Sequence, residues 1–169
     1  MLYLLSFHFS LQAQQIFTEN FSGRTLGPSW MIVTGSWKVA NVQDLKIAPA
    51  ENGNQYVLCA EGPGIIRLII DIPDTIKATK LQLQFSYYTY IKGAGASIEI
   101  EFHKRDQKDG SKGKLFTASL PVKGRWMVWK KLMLIPSGAN SVYFTFTAKK
   151  STTAAEKVCF DVIQAFAVK

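Results

Sequence analysis

The sequence predicts an all-β, antiparallel sandwich built as a single domain, and three observations predict it. Apolar and polar residues alternate with period two in segment after segment, turn motifs separate those segments, and no ten-residue window carries an amphipathic helix. The chain has 169 residues, enough for one domain with a sizeable core. Hydrophobic residues make up 47% and charged residues 19%, a globular composition rather than a disordered one.

Residues 1–13 (MLYLLSFHFSLQA) are apolar for about ten positions and then turn polar at Gln12, Gln14 and Gln15. They read as the apolar part of a secretory signal peptide, leaving 14–169 as the domain and a secreted, periplasmic or cell-surface location. No Lys or Arg precedes the run, and Leu11 is large for its place before a cut, so a first strand is the other reading. No stretch approaches the roughly 20 apolar residues that span a bilayer.

Strands follow in order. Segments 15–21, 35–41, 44–48, 55–60 and 65–72 read as strands, bounded by turns at Glu51-Asn52-Gly53-Asn54, Gly62-Pro63-Gly64 and Ile72-Pro73-Asp74. The alternation is cleanest in Leu81-Gln82-Leu83-Gln84-Phe85-Ser86-Tyr87, in Ser97-Ile98-Glu99-Ile100-Glu101-Phe102-His103 and in Val142-Tyr143-Phe144-Thr145-Phe146-Thr147. Each such strand buries one face and wets the other. Segments 114–120, 126–135 and 158–168 complete the set, with turns at Lys92-Gly93-Ala94-Gly95, Lys108-Asp109-Gly110-Ser111 and Pro136-Ser137-Gly138-Ala139-Asn140. Cys59 and Cys159 fit either a disulfide or two buried thiols at strand positions.

Three passages, in order, resemble a known pattern. Ile16-Phe17-Thr18-Glu19-Asn20-Phe21-Ser22-Gly23 with Leu26-Gly27-Pro28-Ser29-Trp30 is similar to the start of MAM-like and cleaved-adhesin modules. Ile72-Pro73 leading to Leu81–Tyr87, and the closing passage from Trp126 to Val158-Cys159-Phe160-Asp161-Val162-Ile163, resemble their middle and end. The resemblance implies an antiparallel jelly-roll β-sandwich, related to galactose-binding-like carbohydrate-binding modules. A concanavalin-like laminin-G sandwich shares the opening, through Gly35-Ser36-Trp37 and Asp44-Leu45, and is the rival. The resemblance also implies a structural calcium ion held by an acidic residue of the first strand and one of the last, here Glu19 and Asp161. Calcium takes six to eight oxygens, many of them backbone carbonyls, so two carboxylates suffice. Asn20 and Val162 stand where the pattern carries further acidic residues.

The formal charge is +8, which adds affinity for an acidic polysaccharide or an anionic envelope surface and also keeps a protein soluble. The basic residues are dispersed, with no arginine-rich helix, zinc spacing or RNP-like strand, which argues against nucleic acid. A polysaccharide or glycoconjugate is the expected partner. Sugars stack apolar C–H faces on aromatic rings and meet amides and charged groups with their hydroxyls. Leu81, Leu83, Phe85, Ile98, Ile100 and Phe102 are assigned to the core, which places Gln82, Gln84, Glu99, Glu101, His103, Tyr143 and Thr145 on an outward face. Tyr88 and Tyr90 continue the parity of Gln82. Trp126 and Trp129 have opposite parity, and Trp129 is read as the one at the surface; Trp30 and Trp37 are read as core.

Catalytic equipment is sparse. After cleavage His103 is the one histidine left, which argues against nucleophile–His devices and multi-histidine metal sites. Glu99 and Glu101 sit on one face of one strand, whereas glycosidase carboxylates flank a substrate from opposing sides. A small polysaccharide lyase or glycoside hydrolase, with His103, Arg105, a Tyr and an acid in one groove, is the enzyme alternative, and a structural or protein–protein module of the envelope is the other. Asp106-Gln107-Lys108-Asp109 lacks the alternating oxygen ligands of a calcium loop and reads as a hairpin tip.

Overall fold

The computed structural model describes residues 13–50, 53–90, 96–104, 115–149 and 157–169, and of Tyr90 and Leu115 the backbone alone. Residues 1–12, Glu51, Lys92, Arg105, Asp106 and Asp109 lie outside the described residues, and with them the expected signal segment and the expected hairpin tip.

Alternating residues pair into β1 (Ala13–Glu19), β2 (Trp30–Thr34), β3 (Trp37–Asn41), β4 (Tyr56–Ala60), β5 (Gly64–Asp71) and β6 (Lys80–Tyr90). They continue through β7 (Ala96–His103), β8 (Leu115–Leu120), β9 (Trp126–Leu134), β10 (Ser141–Ala148) and β11 (Lys157–Val168). One sheet runs β3-β4-β11-β6-β9, with β1 also paired to β11; the other runs β2-β5-β10-β7-β8. All pairings are antiparallel. The two sheets close an all-β sandwich, as the periodicity predicts.

The core lies where the alternation puts it. Leu81, Leu83, Phe85, Ile98, Ile100 and Phe102 are all buried between the sheets, together with Val142, Phe144 and Phe146. Phe85 is central: it meets Phe146 edge-on at 5.5 Å and Phe160 at 5.8 Å. Such pairs add about 0.5–1.5 kcal/mol each beyond area burial. Trp37 is buried and Trp30 packs half-buried against the core. At the corner between β2 and β3, Gly35 has φ +76°, and an added Cβ would run into the Pro63 carbonyl.

Two elements differ from the sequence expectation. Segment 44–48 is not a strand: a short helix, α1 (Val42–Leu45), precedes Lys46 in the left-handed region. Asn41 caps it, its side chain accepting from the Gln43 amide at 2.8 Å, and this local bond outcompetes a ladder. Strand β2 was not foreseen because Met31, Ile32 and Val33 do not alternate, and all three are exposed at an edge.

Strand β11 organises its sheet. Along one side it pairs with β6. Along the other it pairs with β4 through Val158, Cys159 and Phe160, and with β1 through Ile163–Val168. Strands β4 and β1 therefore abut end to end against β11, and Asp161 and Val162 fall at the break. Cys59 and Cys159 are direct cross-strand partners and form a disulfide. The bridge lies on the outer side of the sheet among Val42, Val57, Leu45, Ile47, Tyr88 and Trp126.

Candidate functional site

The residues expected to share one outward face divide between two. Gln82, Gln84 and Tyr88 belong to β6 and Glu99, Glu101 and His103 to β7, and these strands lie in different sheets. Both sets have the predicted parity, but the sandwich turns them to opposite sides of the molecule. Tyr90 ends β6, and its side chain lies outside the described residues. Gln84 donates to the Gln164 side chain at 2.6 Å. Tyr88 lies 5.7 Å from Trp126 at the edge of the disulfide cluster.

Trp129 is the second correction. It stands opposite Phe85, stacks on it at 5.1 Å and packs against the core. Trp126 is the outer one, opposite Tyr88, with its indole N–H donating to the Ala48 carbonyl at 2.7 Å. The inward direction of Phe85 fixes the parity of its neighbour strand, a fact that the β9 sequence alone does not contain.

The outer face of the five-stranded sheet assembles a compact group. Cross-strand register sets Arg67, Thr145 and Glu99 on one rung, Ile69, Tyr143 and Glu101 on the next, and Asp71, Ser141 and His103 on the third. The His103 ring stacks on Tyr143 with centroids 3.9 Å apart. Its Nε2 lies 3.3 Å from a Glu101 carboxylate oxygen. Arg67 donates through Nε to the Thr145 hydroxyl at 3.2 Å and holds its guanidinium 5.5 Å from the Tyr143 ring centroid. Arg67, Tyr143, His103 and Glu101 are half-buried, so each is oriented by its neighbours and still meets solvent. The result is a row of planar groups stacked on one another and edged by carboxylate and hydroxyl, chemistry suited to hydroxyl recognition along its solvent edge. Sequence reading missed Arg67; the one signal was a lone cation at outward parity within the apolar run Ile65-Ile66-Arg67-Leu68-Ile69.

The second group lies at the break beside β11. Asp161 is fully buried. The Asn54 side-chain nitrogen donates to Asp161 Oδ1 at 2.9 Å, to the Tyr56 carbonyl at 2.9 Å and to the Asn20 carbonyl. Three oxygens from the end of β1, the start of β4 and the middle of β11 thus converge on one point. Glu19 turns its carboxylate to the Phe21 amide, which donates to it at 2.8 Å. Two non-glycine residues at positive φ flank this corner, Phe21 at 56° and Val162 at 46°. No three His, Cys, Asp or Glu side chains gather as a metal cluster among the described residues. Asn54 was not foreseen as a partner, since 107 positions separate it from Asp161.

No protein-family model and no curated protein matches the chain. Solved structures do. The CBM22-2 xylan-binding domain of Paenibacillus barcinonensis Xyn10C aligns at TM-score 0.61 and 16% identity, over 90% of this chain and 99% of that one. The K1 cleaved adhesin domain of Lys-gingipain from Porphyromonas gingivalis W83 aligns at 0.60 and 14%, over 92% and 98%. The enzymatically active domain of tailspike protein 4 from bacteriophage CBA120 aligns at 0.65 and 13%, over 89% of this chain but only 20% of that one. Likeness at such identities is likeness of fold. The chain has the antiparallel jelly-roll sandwich that carbohydrate-binding modules and a cleaved adhesin domain share, the architecture its resemblance to those modules implies.

Proposed function

We propose that this chain is a non-catalytic binding module for a polysaccharide or glycoconjugate, working outside the cytoplasm and stabilised by calcium. The observation that carries the reading is the Arg67–Tyr143–His103 row on the five-stranded sheet. Ring edges and a guanidinium held in place by their mutual stacking meet a sugar at small entropic cost, and Glu101, Glu99 and Thr145 stand within the same rungs to meet its hydroxyls. The fold shared with a xylan-binding domain and a cleaved adhesin domain supports the class of function. The disulfide supports an oxidising compartment, in keeping with the apolar leader. A binding role is also favoured over catalysis by the acids on β7, which occupy neighbouring rungs of one strand instead of facing each other across a groove.

A panel of neutral and acidic polysaccharides, titrated with and without calcium, tests this. Binding to at least one is expected, with Tyr143→Ala weakening it at least about tenfold, as loss of a central aromatic anchor does. Binding to none overturns the reading.

The calcium part rests on the oxygens gathered at Asn54. The Asn20 and Tyr56 carbonyls and Asp161 are hard donors of the kind this ion takes, and an amide presents an oxygen as readily as a nitrogen by turning about its last bond. A bound ion would tie the ends of β1 and β4 to β11. Calcium is expected to raise the melting temperature and a chelator to lower it, with Asp161→Asn abolishing the difference. No shift with either reagent removes the site.

A further inference from the structure

We infer that the rim formed by β9 and the turn before it docks on an anionic lipid surface, a contact separate from the proposed glycan face. Residues 121–136 (PVKGRWMVWKKLMLIP) contain no Asp or Glu and carry Lys123, Arg125, Lys130 and Lys131. The same stretch holds four of the seven large apolar side chains exposed among the described residues: Val122 at 42%, Val128 at 59%, Leu132 at 46% and Leu134 at 62%. The concentration of both properties in one segment is what calls for an explanation.

Geometry joins them into one surface. Strand β9 is the last of its sheet, paired with β6 on one side and with no strand on the other among the described residues. Val128, Lys130, Leu132 and Leu134 share the outer parity, and Lys80 of β6 stands opposite Leu134. The strip from Val128 to Leu134 runs about 20 Å. On the inner side Lys131 keeps its ammonium at the rim, 4.8 Å from the Phe116 ring.

Two simpler accounts explain only half of this. Lysines on an edge strand deter strand pairing, but that purpose gives no reason for exposed Leu and Val beside them. A polysaccharide gains from the lysines if it is acidic, but sugar faces stack on aromatic rings rather than aliphatic strips. An anionic bilayer rewards both at once, burying aliphatic side chains at the headgroup boundary while its negative potential holds the cations. Among the described residues the opposite outer face carries Asp71, Glu99 and Glu101 against Arg67, so of the two surfaces the β9 rim is the one whose described charge suits such a membrane.

Sedimentation of the whole chain with vesicles of phosphatidylcholine alone, or of phosphatidylcholine with phosphatidylglycerol, tests the inference. Binding is expected only with phosphatidylglycerol present and should weaken as salt rises. The pair Lys130→Glu and Lys131→Glu should lower partitioning at least about tenfold. Leu132→Gln with Leu134→Gln should lower it about tenfold with the melting temperature held, because both residues are exposed. Glycan binding should be intact in both variants, so the two readings stand or fall separately. Equal binding to both vesicle types, or to neither, overturns the inference. So does loss of binding in the lysine variant without loss in the leucine variant, which would make the rim a general polyanion patch.

Discussion

Val162 holds a backbone conformation that few β-branched residues adopt. Its φ of 46° lies in the left-handed region, where Cβ crowds the carbonyl oxygen. It sits where β11 shifts register against β6, between Asp161 and Gln164. Phe160 and Ile163 both face the core, three positions apart, so one residue is extra and Val162 takes up the slack as a bulge. Val162→Gly should therefore stabilise the protein by about 1 kcal/mol, relieved strain exceeding the added freedom of the unfolded chain. Denaturant unfolding measures it, and a loss of stability would show that packing of the half-buried valine outweighs the strain. Such a position is illegible in the sequence, because the bulge is a property of the pairing between β11 and β6, which lie far apart along the chain. Asn54 is illegible for a related reason: its turn was recognised, but its partners arrive from two other strands.

Among the elements, β11 carries the most responsibility, since β1, β4 and β6 all pair with it. The Cys59–Cys159 bridge fixes β4 to it and closes a sequence separation of 100 residues. Replacing both cysteines with alanine should cost about 2–5 kcal/mol, most of it through the freer unfolded chain. Equilibrium unfolding of the oxidised protein against the double variant checks this, and coincident curves would show that β4 is held by its ladder and core contacts alone. Strand assignments from alternation survive at this scale wherever one face is buried and the other wet, as in β6, β7 and β10. They fail at β2, an edge strand exposed on consecutive positions, and at 44–48, where a capping bond at Asn41 bends the chain into α1. In both places a local or edge effect outweighs the period-two signal.

For the molecule as a whole, the sandwich separates two outer faces that the sequence runs together. One presents the Arg67–Tyr143–His103 row with Glu99 and Glu101. The other presents Gln82, Gln84 and Lys80 beside the aliphatic and basic rim of β9. The charges of the described residues are thus unevenly spread between the two faces, which composition could not reveal. The inside–outside pattern of each clean strand, and with it the all-β class and most of the core, was determined by the sequence alone, because side-chain alternation is a property of a single strand. Which sheet each strand joins, which tryptophan of β9 turns inward and which oxygens meet at Asp161 were decided only by tertiary structure. Those choices depend on pairings between distant segments, whose energy exists only after the chain has closed on itself.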